Sequence, residues 1–552
     1  MSRNNAARRW AGLVFISIAV SLIIVDSTIV NVAVPSIVEE LAISSTEVQW
    51  VQEAYTLVFA SFLLVFGSLA DRFGRRRLLL LGVVIFAAAS IAASLAPTGG
   101  LLILSRLVQG VGGAMILPTT LSIINATFRG RERGIAFAVW GSTIGGMAAV
   151  GPLLGGWLTT AFSWRWAFGI NIPLGVIIVI GVVLTVAESR SERAERIDGV
   201  GALLSVLTMA PLVFGLIEGR TYGWWTVDTV PTLGGWTWPL DLSPVPLAFA
   251  VALIALVAFI AWGLHRQRLG RSTLLAFDLF RITSFRNGNI AAAVVSLGEF
   301  GIILTLPLWL QFVVGFDALQ TGLLLLSLAV GSFVASGVAG ALSGKVAPVW
   351  VVRGGLLAEI VGVAGVALTI GPDAAWGPLV PFLFVYGLGV GLATAQLTGV
   401  VLAEVPPAAS GQASGTQSTS RQLGAALGVA ILGTVLFSTT AGVLASALDD
   451  RGVSAAERDQ VVSQVVDSAG AAIAGLEQSP ETQDVASDAR AAFSDGTRAA
   501  AFTAAAFLTL GLASTLTLGA GASRREEGED ADAPSSDNPA EGRRAGATDP
   551  QT

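Results

Sequence analysis

The sequence predicts an all-α polytopic membrane protein, and three observations carry that expectation. Hydrophobic residues fill 53% of the 552 positions and charged residues only 13%, about half the charged share of a soluble domain. Mean hydropathy is +0.73, and apolar stretches of about 20 residues recur along nearly the whole chain, each long enough to cross a ~30 Å hydrocarbon core as a helix. The 64 glycines lie inside those stretches as well as between them, which suits membrane helices that pack closely.

The same composition excludes several classes of function. There are no cysteines and a single histidine, His265, so disulfides, thiolate metal sites and a Cys nucleophile are ruled out. No metal centre, cofactor or catalytic constellation is expected, and an enzyme reading is weak. Basic residues are dispersed among loops, which gives no support to a nucleic-acid partner. The net charge of −6 does not describe a folded acidic surface, since much of the acid falls in the run Glu526, Glu527, Glu529, Asp530 and Asp532.

Fourteen spans are predicted, at about 11–34, 47–69, 78–96, 101–123, 134–158, 167–187, 199–218, 245–264, 288–313, 318–342, 349–370, 379–402, 418–440 and 498–520. The first follows Arg3, Arg8 and Arg9 as a signal peptide would, but it is too long, contains Asp26 and lacks a small-residue cleavage site. Placing the N-terminus inside puts Arg72, Arg75, Arg76 and Arg77 in the cytoplasm, then Arg129, Arg131 and Arg133, then Arg266, Arg268, Arg271, Arg281 and Arg286. The short outer turns between the early helices hold almost no basic residue besides Arg165, as the positive-inside rule requires. Fourteen spans return the C-terminus to the cytoplasm.

Two outer segments stand apart. Residues 219–244 carry Trp224, Trp225, Trp236 and Trp238, placed to anchor a loop at the interface. Residues 441–497 are too long for a turn. There Ser454-Ala-Ala-Glu457 reads as a capping box opening an amphipathic helix through Val461, Val462, Val465 and Val466. Ser479-Pro480 reads as the opening of a second helix.

The most specific pattern is Gly67-Ser-Leu-Ala-Asp71-Arg72-Phe-Gly74-Arg75-Arg76-Arg77. Its glycines permit a tight turn between membrane helices, and its arginines hold that turn inside. It resembles the signature loop between helices two and three of the major facilitator superfamily. Three further segments resemble motifs of that superfamily's fourteen-helix drug:proton antiporters. They are Asp26-Ser-Thr-Ile-Val-Asn31-Val-Ala-Val-Pro35 on the first span, Leu104-Ser-Arg106-Leu-Val-Gln109-Gly110-Val-Gly112-Gly113 on the fourth, and Gly146-Met-Ala-Ala-Val-Gly151-Pro152-Leu-Leu-Gly155-Gly156 on the fifth. Gly340-Ala-Leu-Ser-Gly344-Lys345 is a degenerate second copy of the signature loop, as two related halves would give.

The resemblance implies the major facilitator fold, with two six-helix bundles and two inserted helices. A cytoplasmic N-terminus (1–10) then precedes an N-terminal bundle (11–187). A linker (188–287) holds the inserted helices and the Trp-rich loop. The C-terminal bundle (288–520) includes the outer helical loop 441–497, and a disordered cytoplasmic tail (521–552) follows. Gly67, Asp71, Arg72, Gly74 and Arg75 become conformational-switch residues, with the Asp bonding to the other half. Gly146, Gly151, Pro152, Gly155 and Gly156 become helix-packing residues.

Ionisable residues in hydrocarbon are functional candidates. Asp26, Glu53 and Arg106 all lie roughly 8–13 Å below the outer end of their spans and are expected to form one cluster, although Glu53 equally suits a place facing the interface. Glu299 lies mid-way along the ninth span. The resemblance implies that this helix lines the central cavity, so that Glu299 faces that site from the other half and could bind a cationic substrate, a proton or both. Glu359 is equally deep on the eleventh span, with its role left open. Phe300, Trp309 and Tyr386 are candidate aromatic contacts for a cationic or planar substrate.

The expected activity is proton-coupled export of small amphipathic, cationic, drug-like molecules by alternating access. Its partners are a small-molecule substrate, protons and the lipid bilayer, and the functional unit is a monomer. An exporter of one endogenous metabolite, such as an antibiotic, lipid or siderophore, is the alternative, and a proton-coupled uptake symporter a weaker one. The expected location is the cell membrane. Arginine in place of lysine, with only Lys345 present, points to a GC-rich bacterial genome.

Overall fold

A computed structural model describes residues 3–41, 43, 45–190, 198–233, 236–342, 345–406 and 409–518. The tail 521–552 and Gly344 of the degenerate repeat lie outside them. The first part of the chain forms α1 (Arg3–Leu41), α2 (Ser45–Phe73), α3 (Arg75–Ser94), α4 (Gly99–Thr127), α5 (Gly130–Ala161), α6 (Arg165–Gly169) and α7 (Asn171–Thr185). Next come α8 (Gly199–Tyr222) and α9 (Pro244–Arg268), separated by a strand pair, Thr232–Leu233 with Trp236–Thr237. The remainder forms α10 (Thr283–Phe312), α11 (Ala318–Leu342), α12 (Pro348–Thr369), α13 (Leu379–Leu402), α14 (Ser410–Asp450), α15 (Ala455–Asp467), α16 (Ala472–Glu477) and α17 (Gln483–Ser514).

Among the described residues, thirteen helices are long and apolar enough to cross a membrane. They coincide with every expected span except the fifth, where α5 runs for 32 residues.

Local chemistry explains the boundaries. Gly74 turns the chain between α2 and α3 at φ 105°, a conformation open to glycine. Thr98 caps α4 by accepting from the Leu101 amide at 3.4 Å, and Asp198 caps α8 through Gly201 at 2.9 Å. Ser243 caps α9, whose first residue is Pro244. The sixth span divides into α6 and α7 because Pro173 has no N–H to give the Gly169 carbonyl.

Helices α1 to α7 pack on one another, and α10 to α14 pack with α17. The two groups meet where α5 lies against α11 and α13, and where α2 and α4 lie against α14. Helices α8 and α9 pair with each other, and α8 leans on α2. The outer surface of α9 shows Leu253, Ile254 and Val257 to the surroundings, as a lipid-facing helix would.

Segment 441–497 is helical, with a different start from the one expected. Ser454 does cap α15, accepting from Glu457 at 3.4 Å. Ser479 and Pro480, however, lie in a turn. The next helix begins at Gln483 and runs unbroken through the fourteenth span, so the helical cap and that span are one rod. Val465, Ile473 and Phe493 are fully buried within the cap. On the surface, Arg451 reaches Asp488 and Asp484, and the hydrogen bond it donates to Asp488 is the main cause that holds its guanidinium above the usual range. In the Trp-rich loop Trp224 stacks on Phe249 at 6.5 Å, Trp238 donates to the Leu242 carbonyl at 2.8 Å, and Trp225 projects outward.

Candidate transport site

A buried ion pair lies at the centre of the N-terminal helices. Asp26 of α1 is completely enclosed and accepts from Arg106 Nη1 of α4. Its other carboxyl oxygen accepts from Gln109 Nε2 at 3.1 Å and Asn171 Nδ2 at 2.7 Å. Both amides also donate to the Ser90 hydroxyl, at 2.8 and 3.2 Å. Arg106 itself is held three further ways. Its Nη1 donates to Gln109 Oε1 at 3.0 Å, its Nε donates to the Val51 carbonyl at 3.1 Å, and its guanidinium lies over the Tyr55 ring at 4.6 Å. Such a buried pair is tolerated because its donors and acceptors partner one another.

Glu53 does not join this cluster, although its depth suggested that it would. Depth along a helix fixes height and leaves direction open. Val51 and Tyr55 face Arg106, and position 53 is about 200° round the helix from each. Its carboxyl lies beside Glu218 of α8 instead.

A cavity of about 80 Å³ separates the two groups of helices. The N-terminal side contributes Ser27 and Thr28 of α1 and Ile144 of α5. Glu299, Phe300, Tyr386, Thr394 and Arg421 face them from α10, α13 and α14. Glu299 accepts from the Thr394 hydroxyl at 2.8 Å and pairs with Arg421 at 3.5 Å. Asp26 lies on α1 about 200° from Ile24 and Thr28, so the ion pair stands one helix behind the cavity wall. Phe300 and Tyr386 line the cavity. Trp309 does not: it is fully buried and donates to Ser494 of α17 at 3.1 Å, a packing role.

The signature loop closes one end of the interface. Asp71 accepts from Arg75 at 2.6 Å, from the Gly411 amide at 2.8 Å and from the Gln412 amide at 3.0 Å. The first residue before α14 is Ala409, which has no side chain able to cap. Asp71 therefore caps that helix from the opposite group, where the helix dipole also favours an anion. Gly67 is a contact residue rather than a turn residue. A Cβ there would stand 2.6 Å from the Gly411 carbonyl oxygen and 2.7 Å from the Gly415 Cα. Arg72 is exposed, over the Phe73 ring. At the same end Asn125 donates to Ser410 at 3.0 Å, Gln396 to the Gly134 carbonyl at 3.3 Å and Arg133 to the Ala403 carbonyl at 3.4 Å.

On α5 the glycines serve two neighbours. A Cβ on Gly151 would collide with the Thr28 hydroxyl, and one on Gly155 would stand 2.8 Å from Ile29, both on α1. Gly146 faces Phe333 of α11, which would stand 2.6 Å away. Pro152 and Gly156 lie within the same helix.

Sequence reasoning missed Arg421, Asn171, Gln109 as a ligand, and Thr394. Arg421 was visible by the rule that found Arg106, a charge within an apolar span. The amides and the hydroxyl carry no charge, so only the fold brings them to the carboxylates.

The helix arrangement agrees with what comparison with known proteins gives. The family model described as Major Facilitator Superfamily matches residues 16–429. The chain belongs to the Major Facilitator Superfamily. It is a transporter rather than an enzyme, and a multi-pass protein of the cell membrane. It is 33% identical over 482 residues to a probable actinorhodin transporter of Streptomyces coelicolor, covering 83% of this chain and 80% of that one. It is 32% identical over 491 residues to a multidrug efflux pump of Mycolicibacterium smegmatis, covering 89% and 92%. Among solved structures, the human organic anion transporter MFSD10 aligns with a TM-score of 0.57 at 12% identity, over 92% of this chain and 99% of that one. At that identity the likeness shows the superfamily fold alone.

Proposed function

We propose that this transporter exports small amphipathic, cationic compounds in exchange for protons, acting as a monomer through alternating access. The observation that carries the reading is the Asp26–Arg106 pair, fully buried one helix behind the wall of a cavity that both halves line. A proton arriving at Asp26 removes the charge that Arg106, Gln109 and Asn171 hold. Helix α1 then loses its tie to α4 and α7, and Ser27 and Thr28, on the same helix, move with it. On the far wall Glu299 offers the carboxylate for a cationic substrate, with Phe300 and Tyr386 beside it.

The bundles 11–187 and 288–520 are the two rocking bodies, with α5 as the fifth of fourteen spans and both termini cytoplasmic. The signature loop then lies inside, and the closed end is the cytoplasmic gate. The names of the relatives, an efflux pump and an antibiotic transporter, support export of drug-like molecules. The actinorhodin relative also favours a second reading, export of one endogenous metabolite. The likeness of Gly146 to Gly156 to the antiporter motif weighs against uptake.

Proteoliposomes holding tetraphenylphosphonium under an imposed pH gradient test this. Wild type is expected to drive the cation against its own gradient, and Asp26→Asn and Glu299→Gln to abolish the driven component. Movement of the probe that ignores the pH gradient would overturn the coupling. Movement of neutral or anionic solutes alone would overturn the assignment of cationic substrates.

A further inference from the structure

The C-terminal half contains a carboxyl group that the mechanism above does not use. Glu359 lies midway along α12, is fully buried, and neither of its carboxyl oxygens has a hydrogen-bond partner among the described residues. Here α12 and α13 touch backbone to backbone. A Cβ on Gly389 would stand 2.5 Å from the Glu359 amide nitrogen, and one on Gly362 would stand 2.6 Å from the Tyr386 nitrogen. Tyr386 in turn lines the cavity and donates its hydroxyl to the Glu299 carbonyl at 3.2 Å. Glu359 thus stands one layer behind the cavity wall, within electrostatic reach of Glu299 and Arg421.

The other charges that approach α12 lie at its two ends. Arg498 of α17 donates to the Ile370 carbonyl at one end, and Arg353 donates to the Thr515 and Leu518 carbonyls at the other. Between them, Glu299 and Arg421 already cancel each other. A carboxylate left unpaired in so apolar a place is not tolerated. In this closed state Glu359 therefore carries its proton.

We infer that Glu359 holds the proton that a cationic substrate displaces. A monovalent cation entering beside Glu299 gives the site one positive charge too many. Breaking the Glu359 O–H bond restores balance: the proton passes to water in the opened cavity, and the carboxylate left behind is countered by the cation. One proton leaves for each positive charge that binds, and release of the cation reverses the step. A neutral compound leaves the proton in place, so Glu359 distinguishes substrates by charge. Asp26, on the face of α1 turned away from the cavity, is a separate proton site in the other half.

This inference rests on the proton-driven export proposed above, and its test separates the two. The purified full chain is mixed with tetraphenylphosphonium in weakly buffered solution, with proton release and the infrared difference spectrum recorded together. Wild type is expected to release protons and lose a carboxylic-acid C=O band. Glu359→Gln, which keeps the shape of the protonated acid, is expected to release fewer protons, to lack that band and to bind the cation about tenfold more weakly. Glu359→Met serves as a second variant of similar volume should the first fail to fold. Equal proton release and an unchanged band in both variants would overturn the inference. If wild type in liposomes does not move the probe under a pH gradient, the export reading fails first. If it does and the variants match wild type, only the role of Glu359 fails.

Discussion

Asn171 and Gln109 share one oxygen of Asp26 while Arg106 takes the other, and this division of labour decides how the site tolerates change. Arg106 donates to Asp26 and Gln109 through Nη1 and to Val51 through Nε, a spread over two nitrogens that the single nitrogen of an ammonium does not reproduce. Arg106→Lys keeps the charge but loses at least one of those bonds, each worth roughly 1.5–3 kcal/mol when charged. Proton-driven transport is expected to fall about tenfold or more while the variant still inserts and purifies. A Lys variant as active as wild type would mean that charge alone matters. Of these residues, Asp26 and Arg106 were legible in the sequence because a charge in an apolar span stands out. Asn171 was not, since an amide hardly alters hydropathy. Glu53 was misplaced because depth can be counted from the sequence whereas the direction of a side chain needs the neighbouring helix, here α8.

At the scale of elements, the contact between α2 and α14 is the clearest device. Gly67 meets Gly411 and Gly415, a small-xxx-small face of the kind that lets membrane helices approach closely. Asp71 caps α14 only while the two helices touch. The signature motif announced Asp71 and the turn at Gly74. Its glycine at position 67 read as part of that turn, and Gly411-x-x-x-Gly415 passed unnoticed among many glycines. The last span shows the same limit: Ser479-Pro480 reads as a helix opening, but only the fold reveals that α17 starts at Gln483 and continues without a break through the span. Gly67→Val is expected to hold the halves apart, at a cost of about 1–3 kcal/mol to the closed state. Asp71→Asn, which keeps the shape but removes the charge, is expected to cost about 1 kcal/mol. Both should raise the rate at which a cysteine placed at Ser410 reacts with a water-soluble maleimide. An unchanged rate in Gly67→Val would show that this contact does not gate the interface.

For the whole molecule, the class, the superfamily and most of the spans were legible from composition and a few motifs, because hydrocarbon thickness and backbone satisfaction leave so few solutions. The shape of the cavity was not legible, since it depends on how two separate bundles meet. At about 80 Å³ it is well short of the 300–1,000 Å³ typical of drug-sized sites, so this closed arrangement must open for any such substrate to enter. The chain's lack of cysteine allows spin labels to be placed without background. The most direct measurement is of two label pairs in one experiment, across the signature-loop end (Arg129→Cys with Glu404→Cys) and across the opposite end (Gly100→Cys with Asp373→Cys), all at exposed positions. Distances would be recorded at low and high pH, with and without tetraphenylphosphonium. The expected result is reciprocal: whenever one pair lengthens the other shortens, and acidification and the cation shift the populations in opposite directions. Pairs that lengthen together, or distances indifferent to pH, would contradict proton-driven alternating access.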